Sequence, residues 1–496
     1  MAEGVTGRLT VHAHFYQPPR EDPWSGEIPE QPGAAPFHDW NERVHAESYR
    51  PNAFARVPAG DGVERDVNNF ARLSFNIGPT LLAWMERADP QTYSRIIEAD
   101  RSSTERLGHG NAIAQAFHHT ILPLSPLRDV RTQVRWGLAD FRHRFGREPQ
   151  GMWLPETAAD DDTLEVLIEE GVGFTILAPN QAGYLKDEDG DWIPVQETGL
   201  DTKKPYLYLH RDGSGRSLTV FFYDGAISRA IAFDRAGASG EGFVDLFEAK
   251  STPDGLVHAA TDGETYGHHH TFSELGLAYA LFVEGPARGL EVTNYATFLQ
   301  DHPATEQVRL IPGEGTSWSC AHGVGRWKTD CGCTTGGEPG WTQQWRAPLR
   351  RGLELVRDAA DETFEGMGTK LFADPWAVRD AYVDVVIGAR DMESFLEEHA
   401  SGPLTDEDGL TARLLLEMQT SSMSMFTSCG WFFNDIGGIE TIQVLRYAGR
   451  TLDLLEELGQ PGPEAALLDL LATAKSNDPS VGTGADVFAS ATQRTD

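Results

Sequence analysis

The chain has 496 residues, of which 40% are hydrophobic, 10% aromatic and 23% charged; this globular composition excludes intrinsic disorder and fibres and suits two units or one large barrel with insertions. Its 75 Asp and Glu outnumber 41 Lys and Arg, for a net charge of −34, so the average surface repels polyanions, and neither nucleic acid nor an anionic membrane is an expected partner. Arginine carries nearly all the positive charge, and such an acidic, lysine-poor chain suits a halophilic, salt-rich cytoplasm; an ordinary acidic protein is the plainer alternative.

The first residues, MAEGVTGRLTVHAHF, lack a basic segment followed by an apolar one, and no apolar stretch nears the roughly 18 residues that span a bilayer. A cytoplasmic location follows as the expectation. Residues 8–15 (RLTVHAHF) alternate and are rich in β-branched and aromatic side chains, which predicts a strand. Further strands are predicted at 151–154, 173–177, 218–223 and 256–260, with helices between them at 126–142 and 163–170. Asp160, Asp161 and Asp162 precede the latter helix and suit its cap and its dipole. This alternation predicts an α/β fold with a parallel sheet closed as a barrel over residues 1–310. Residues 311–341 turn to Gly, Trp, Cys and Ser without periodicity, a long connecting loop. Helical spacing returns at 343–360, 375–399, 410–425 and 438–458, so 342–475 is expected to be a helical domain, and the polar end, 476–496, a disordered tail.

Two strands deliver carboxylates where a parallel barrel places its active-site mouth. Met152-Trp153-Leu154-Pro155 stops at a proline and presents Glu156; the strand from Leu256 ends at Thr261-Asp262-Gly263-Glu264. Two carboxylates on two strand ends are the minimum equipment for glycoside cleavage, one to attack the anomeric carbon and one to protonate the leaving oxygen. His12, His14 and Gln17 on the first strand are candidates to bind sugar hydroxyls, and Trp153 to stack on a pyranose face. Asp224 ends another strand, as a sugar ligand or as a helix cap. Trp318, Trp327 and Trp341 either form sugar platforms or anchor the loop. Cys320, His322, Cys331 and Cys333 offer four soft ligands, but one residue rather than two separates the paired cysteines; reduced structural thiols are favoured over a structural zinc, and neither metal nor cofactor is assigned.

These residues resemble glycoside hydrolase family 57. His12, His14, Gln17 and Pro18 look like its first motif with two residues inserted before the glutamine, Trp153-Leu154-Pro155-Glu156 matches its nucleophile motif, and Asp262-Gly263-Glu264-Thr265-Tyr266-Gly267 its acid/base motif. The second motif is echoed around His118 and His119. The fifth is echoed at Ser428-Cys429-Gly430-Trp431, where the family's Ser-Asp-Trp has lost its aspartate, as in a divergent member. The resemblance implies an incomplete (β/α)7 barrel with a helical domain closing over the site. It also implies retaining action on α-glucans, with Glu156 as nucleophile, Asp262 as acid/base about 5–5.5 Å away, Glu264 supporting the loop, and His119 and Trp431 touching substrate. The expected partner is thus an oligo- or polysaccharide, and hydrolase and glucanotransferase remain open. The rivals are a metal-dependent carbohydrate deacetylase with His12, His14 and either Asp262 or one of His268, His269 and His270 as ligands, and a non-catalytic glucan-binding protein.

Overall fold

The computed structural model describes residues 6–60 and 62–492. They divide into two compact units, one made of the residues up to Gln17 with Glu30–Gln115 and Arg144–Gly313, the other of Pro18–Pro29, Ala116–His143 and the chain from Glu314 onward.

The first unit is built on seven short strands: β1 (Gly7–Phe15), β2 (Ser74–Ile77), β3 (Ala114–Gln115), β4 (Met152–Trp153), β5 (Phe174–Leu177), β6 (Ser217–Phe222) and β7 (Leu256–Asp262). All pair in parallel, β7 with β1, β1 with β2, β3 with β4 and β5 with β6, and the single bridges Phe75↔Ala112 and Gly151↔Phe174 link these pairs into one arc. Among the described residues no ladder closes β6 onto β7; a lone bond from Asp224 N–H to the His258 carbonyl (2.8 Å) spans the gap. The result is the expected incomplete (β/α)7 barrel. Helices return the chain after β2 (Pro79–Ala88, Pro90–Leu107), after β4 (Asp161–Glu169) and after β6 (Gly225–Phe233, Gly240–Glu248). As its sequence suggests, Asp160 caps the Asp161–Glu169 helix, accepting from Thr163 N–H at 2.8 Å.

Residues 74–77 and 114–115, strands in the structure, do not read as strands in the sequence. β2 alternates as Ser-Phe-Asn-Ile but is only four residues long, too brief for its period to stand out, and β3 is only two residues long. Between β5 and β6 the chain departs from the helical pattern: Ala182–Lys186, Trp192–Pro194, Tyr206–Leu209 and the later Glu306–Leu310 join β5 and β6 in a six-stranded mixed sheet.

The second unit is helical. Its longest elements are Arg346–Leu371, Asp406–Ser424 and Ile439–Glu457, close to the predicted stretches. The predicted helix at 375–399 is broken into Pro375–Ala381, Val383–Val386 and Met392–His399, because Asp391 starts a new helix by accepting from Ser394 N–H at 2.9 Å. Arg379, 1% exposed, fixes the bundle with bonds to Asp129 Oδ1 (2.8 Å), Gln419 Oε1 (2.9 Å) and Thr132 Oγ1 (2.7 Å). The end of the chain is folded rather than disordered as far as Thr492. Thr483 caps helix Gly484–Ala491, whose Val487 and Phe488 are buried, so two apolar residues on one helical face outweigh the polar composition; residues 493–496 of the expected tail lie outside the described residues. Among the described residues no helix is long and apolar enough to cross a membrane.

Candidate active site

Asp262 is the last residue of β7 and stands in register with His14 of β1. The turn after it depends on two glycines. A Cβ on Gly263 would lie 2.2 Å from the Phe15 ring, and Gly267 has φ +115 with the Glu47 carbonyl 2.1 Å from where its Cβ would be. This tight turn points Glu264 inward, where Oε1 accepts from the Tyr49 hydroxyl, from Tyr16 N–H at 3.1 Å and from the Gln17 amide at 3.4 Å. Burial outweighs these donors and pushes the Glu264 carboxyl up to about 7.

Glu156 follows β4 in a strained turn. Glu156 and Thr157 have φ of 58 and 51, a left-handed pair that costs about 1–3 kcal/mol per residue without glycine. Thr157 N–H bonds the Leu154 carbonyl at 2.8 Å, and Gln181 Nε2 holds the Thr157 carbonyl at 2.8 Å, so the surroundings impose the turn. Asp262 is exposed to solvent at the strand end, although neighbouring protein atoms desolvate its carboxyl in part. Desolvation, then the charge of Glu264, then that of Glu156, all hold its carboxyl well above the usual carboxylate range. All three causes push in the same, upward direction. Tyr223, pushed upward by burial and by the charge of Asp262, is a neutral phenol nearby.

The histidines of the first motif form a neutral layer below these acids. His12 Nδ1 pairs with Ser74 Oγ and Nε2 with Asn76 Oδ1, both at 3.0 Å, while Asn76 Nδ2 donates to His14 Nδ1 (2.8 Å) and Gln115 Oε1 (2.6 Å). Burial lowers both imidazoles to about 3. With both ring nitrogens of His12 engaged, the deacetylase ligand set loses a member.

Several residues expected on the sugar have other work. Trp153 is fully buried and stacks on His12 (4.7 Å) and His14 (5.1 Å), so its faces are spent on those rings. The Gln17 amide nitrogen holds Glu264 and the Tyr16 carbonyl. Asp224 is a helix cap: Oδ1 accepts from Ala226 and Ile227 N–H at 3.0 Å, and Lys250 Nζ meets Oδ2 at 2.6 Å. In the helical unit the second and fifth motifs meet, because His119 Nδ1 lies 2.6 Å from Ser428 Oγ and Ser428 N–H bonds the His119 carbonyl at 2.9 Å. Trp431, however, is wholly buried; its indole N–H reaches the Arg346 carbonyl at 3.3 Å and the ring lies parallel to Phe426, so it offers no face to a sugar. Trp327 is likewise an anchor, donating to the Ser428 carbonyl at 3.1 Å. Sequence reasoning missed Tyr49, Asn76 and Tyr223, which carry no motif of their own and matter only through the groups they touch, whereas Gln115 opens the second-motif stretch and pairs with Asn76.

The profile of glycosyl hydrolase family 57 matches residues 38–310. The chain belongs to glycosyl hydrolase family 57. In this family 57 chain the helical part carries a second match, residues 341–495, to a domain of unknown function (DUF3536). An alpha-amylase of Pyrococcus horikoshii is 21% identical over 196 residues, 40% of this chain and 28% of that protein. A 4-alpha-glucanotransferase of Thermococcus litoralis is 22% identical over 229 residues, 46% of this chain and 30% of that protein. The chain thus spans less than a third of the length of these curated relatives. Among solved structures, the exo-type maltose-forming amylase of Pyrococcus sp. ST04 shares the fold, with a TM-score of 0.70 and 16% identity over 98% of this chain and 91% of that one.

Proposed function

We propose that the protein is a retaining glycoside hydrolase or glucanotransferase acting on an α-linked glucan. Glu156 attacks the anomeric carbon and its oxygen forms an ester bond there as the glycosidic bond breaks, while Asp262 gives its proton to the departing oxygen. Asp262, now a carboxylate, takes a proton from water or from a sugar hydroxyl, whose oxygen displaces Glu156 and releases the product. The arrangement that carries the reading is the grouping of Glu156 after β4 with Asp262 and Glu264 at the end of β7: desolvation and the two neighbouring carboxylates push the Asp262 carboxyl upward, the direction a general acid needs. Glu264 positions the turn and adds to that bias, and the neutral pair His12 and His14 forms an uncharged floor that leaves the carboxylates in control of the proton.

The family relationship and the names of the relatives support an α-glucan as substrate. Purified protein incubated with a linear maltooligosaccharide, with products separated by chain length, tests this. Shorter products alone mean hydrolysis, and longer products beside shorter ones mean transfer. Binding without turnover over α-1,4 and α-1,6 glucans, in low and high KCl, would overturn the enzymatic reading.

A further inference from the structure

The loop between the barrel strands and the long helices gathers Cys320, His322, Cys331 and Cys333, whose ligand atoms all lie within 4.8 Å of one another. Cys320 Sγ is 3.8 Å from Cys331 Sγ and 3.7 Å from Cys333 Sγ, and Cys333 Sγ is 3.5 Å from His322 Nδ1. A tetrahedral zinc with bonds of about 2.3 Å to sulfur and about 2.0–2.1 Å to nitrogen sets its ligand atoms about 3.5–3.8 Å apart. These three separations match three of the six edges of a coordination tetrahedron, and the other pairs, all within 4.8 Å, need to close by no more than about 1 Å. Thiol hydrogen bonds alone would also bring these atoms near one another, and what sets the cluster apart is that four soft donors from one short stretch converge on a single point.

We propose that these four residues bind one structural zinc ion, as three thiolates and a neutral imidazole. The one-residue spacing that counts against a knuckle in the sequence is accommodated by backbone geometry: Gly332 has φ +81, which turns the chain so that the thiols on either side of it face one centre. The backbone N–H groups of His322 and Arg326 beside Cys320, and that of Ala321 beside Cys333, favour the thiolate form of each. Amide donors of this kind stabilise thiolate charge and orient it toward a metal. The donor set, three soft thiolates and one imidazole in a closed cluster, is that of a structural zinc site, with no position for substrate.

The site lies in a stretch with little regular secondary structure. Apart from one short turn at Gly325–Trp327, residues 311–345 contain no helix or strand. Yet this segment supports the helical unit: Arg346 Nη1 donates to the Cys333 carbonyl at 3.0 Å, Arg326 Nη1 to the Phe432 carbonyl at 3.2 Å, and Trp327 to the carbonyl of Ser428, the partner of His119. A bound ion would thus add a cross-link to a glycine-rich loop otherwise pinned by the buried Val324, Trp327 and Trp345.

The test is metal analysis of the whole chain, purified under reducing conditions without chelator. We expect about one zinc per chain, exchange with cobalt(II) to give a thiolate-to-metal charge-transfer absorption, and loss of that metal in Cys331→Ser and Cys333→Ser. Cys429→Ser, which removes the one cysteine outside the cluster, keeps it. Should the cluster variants fail to fold, titrating the unaltered chain with an organomercurial reads the same point: zinc is released in step with modification of three thiols, and the melting temperature falls. Absence of zinc after equilibration with a zinc buffer overturns the proposal, as does a disulfide between Cys320 and Cys331 in the purified protein, or retention of full zinc content by both cluster variants.

Discussion

The neighbouring ends of β6 and β7 look alike in sequence, each an apolar run closed by an aspartate and a glycine, and they do opposite things. At the end of β6, Asp224 is neutralised by two backbone donors and by Lys250. At the end of β7, desolvation and the charges of Glu264 and Glu156 push the Asp262 carboxyl well above the usual carboxylate range. An acid at the end of a barrel strand is therefore not yet a site. It becomes one when the surrounding charges oppose its ionisation and leave the proton available for transfer.

The largest test of this contrast is to remove the reacting groups. Glu156→Ala should abolish turnover on every substrate, since the nucleophile acts whatever the leaving group. Asp262→Ala should lose about 10²–10⁴-fold on natural glucan and much less on an activated aryl glycoside. Azide, which needs no general base, should restore Asp262→Ala with a product of retained configuration, and should convert Glu156→Ala to the inverted azide; chromatography and NMR of the products distinguish them. Full activity of Asp262→Ala on natural glucan would move the acid to Glu264.

Next comes pH. Glu264, raised from 4.5 to about 7, and Asp262, raised in the same direction, bind protons more tightly folded than unfolded. Their contribution to stability is complete below the ordinary carboxylate range and is lost as pH rises through the folded values. The melting temperature should thus fall between about pH 4.5 and about 7, and Glu264→Gln, which cannot ionise, should flatten part of that slope. An unchanged slope would mean that Glu264 is ionised in the fold throughout.

A smaller effect is expected at β6. Asp224→Ala should cost about 0.5–2 kcal/mol of stability as a lost cap, measured by denaturant unfolding, while the pH profile of turnover stays as it was. A displaced pH profile would make Asp224 part of the proton-transfer system and erase the contrast. The smallest effect is general: with a net charge of −34, screening should raise the melting temperature between about 0.1 M and about 2 M KCl. A flat or falling trend removes the halophilic reading and leaves the chemistry untouched.

Much of the site was legible in the sequence because its chemistry is local. Glu156 and Asp262 sit at the ends of apolar strands, and the residues that turn the chain there, Pro155, Gly263 and Gly267, are adjacent to them. The strand and helix alternation likewise pointed to the barrel, although β2 and β3, four and two residues long, were too short for a period to stand out.

What the sequence by itself determined is which residue types stand at strand ends and at turns, since backbone sterics and hydrophobic periodicity act over a few residues. Only the tertiary structure decided what each charge meets. Lys250 reaches Asp224 and Tyr49 reaches Glu264 across long stretches of chain, and Trp153 and Trp431 point inward because their rings gain more from burial than from exposure. The thiol cluster is the same lesson, since four ligands converge through backbone dihedrals that no spacing rule contains. Electrostatics and metal coordination depend on distances in space, and those are set by the packing of the whole chain.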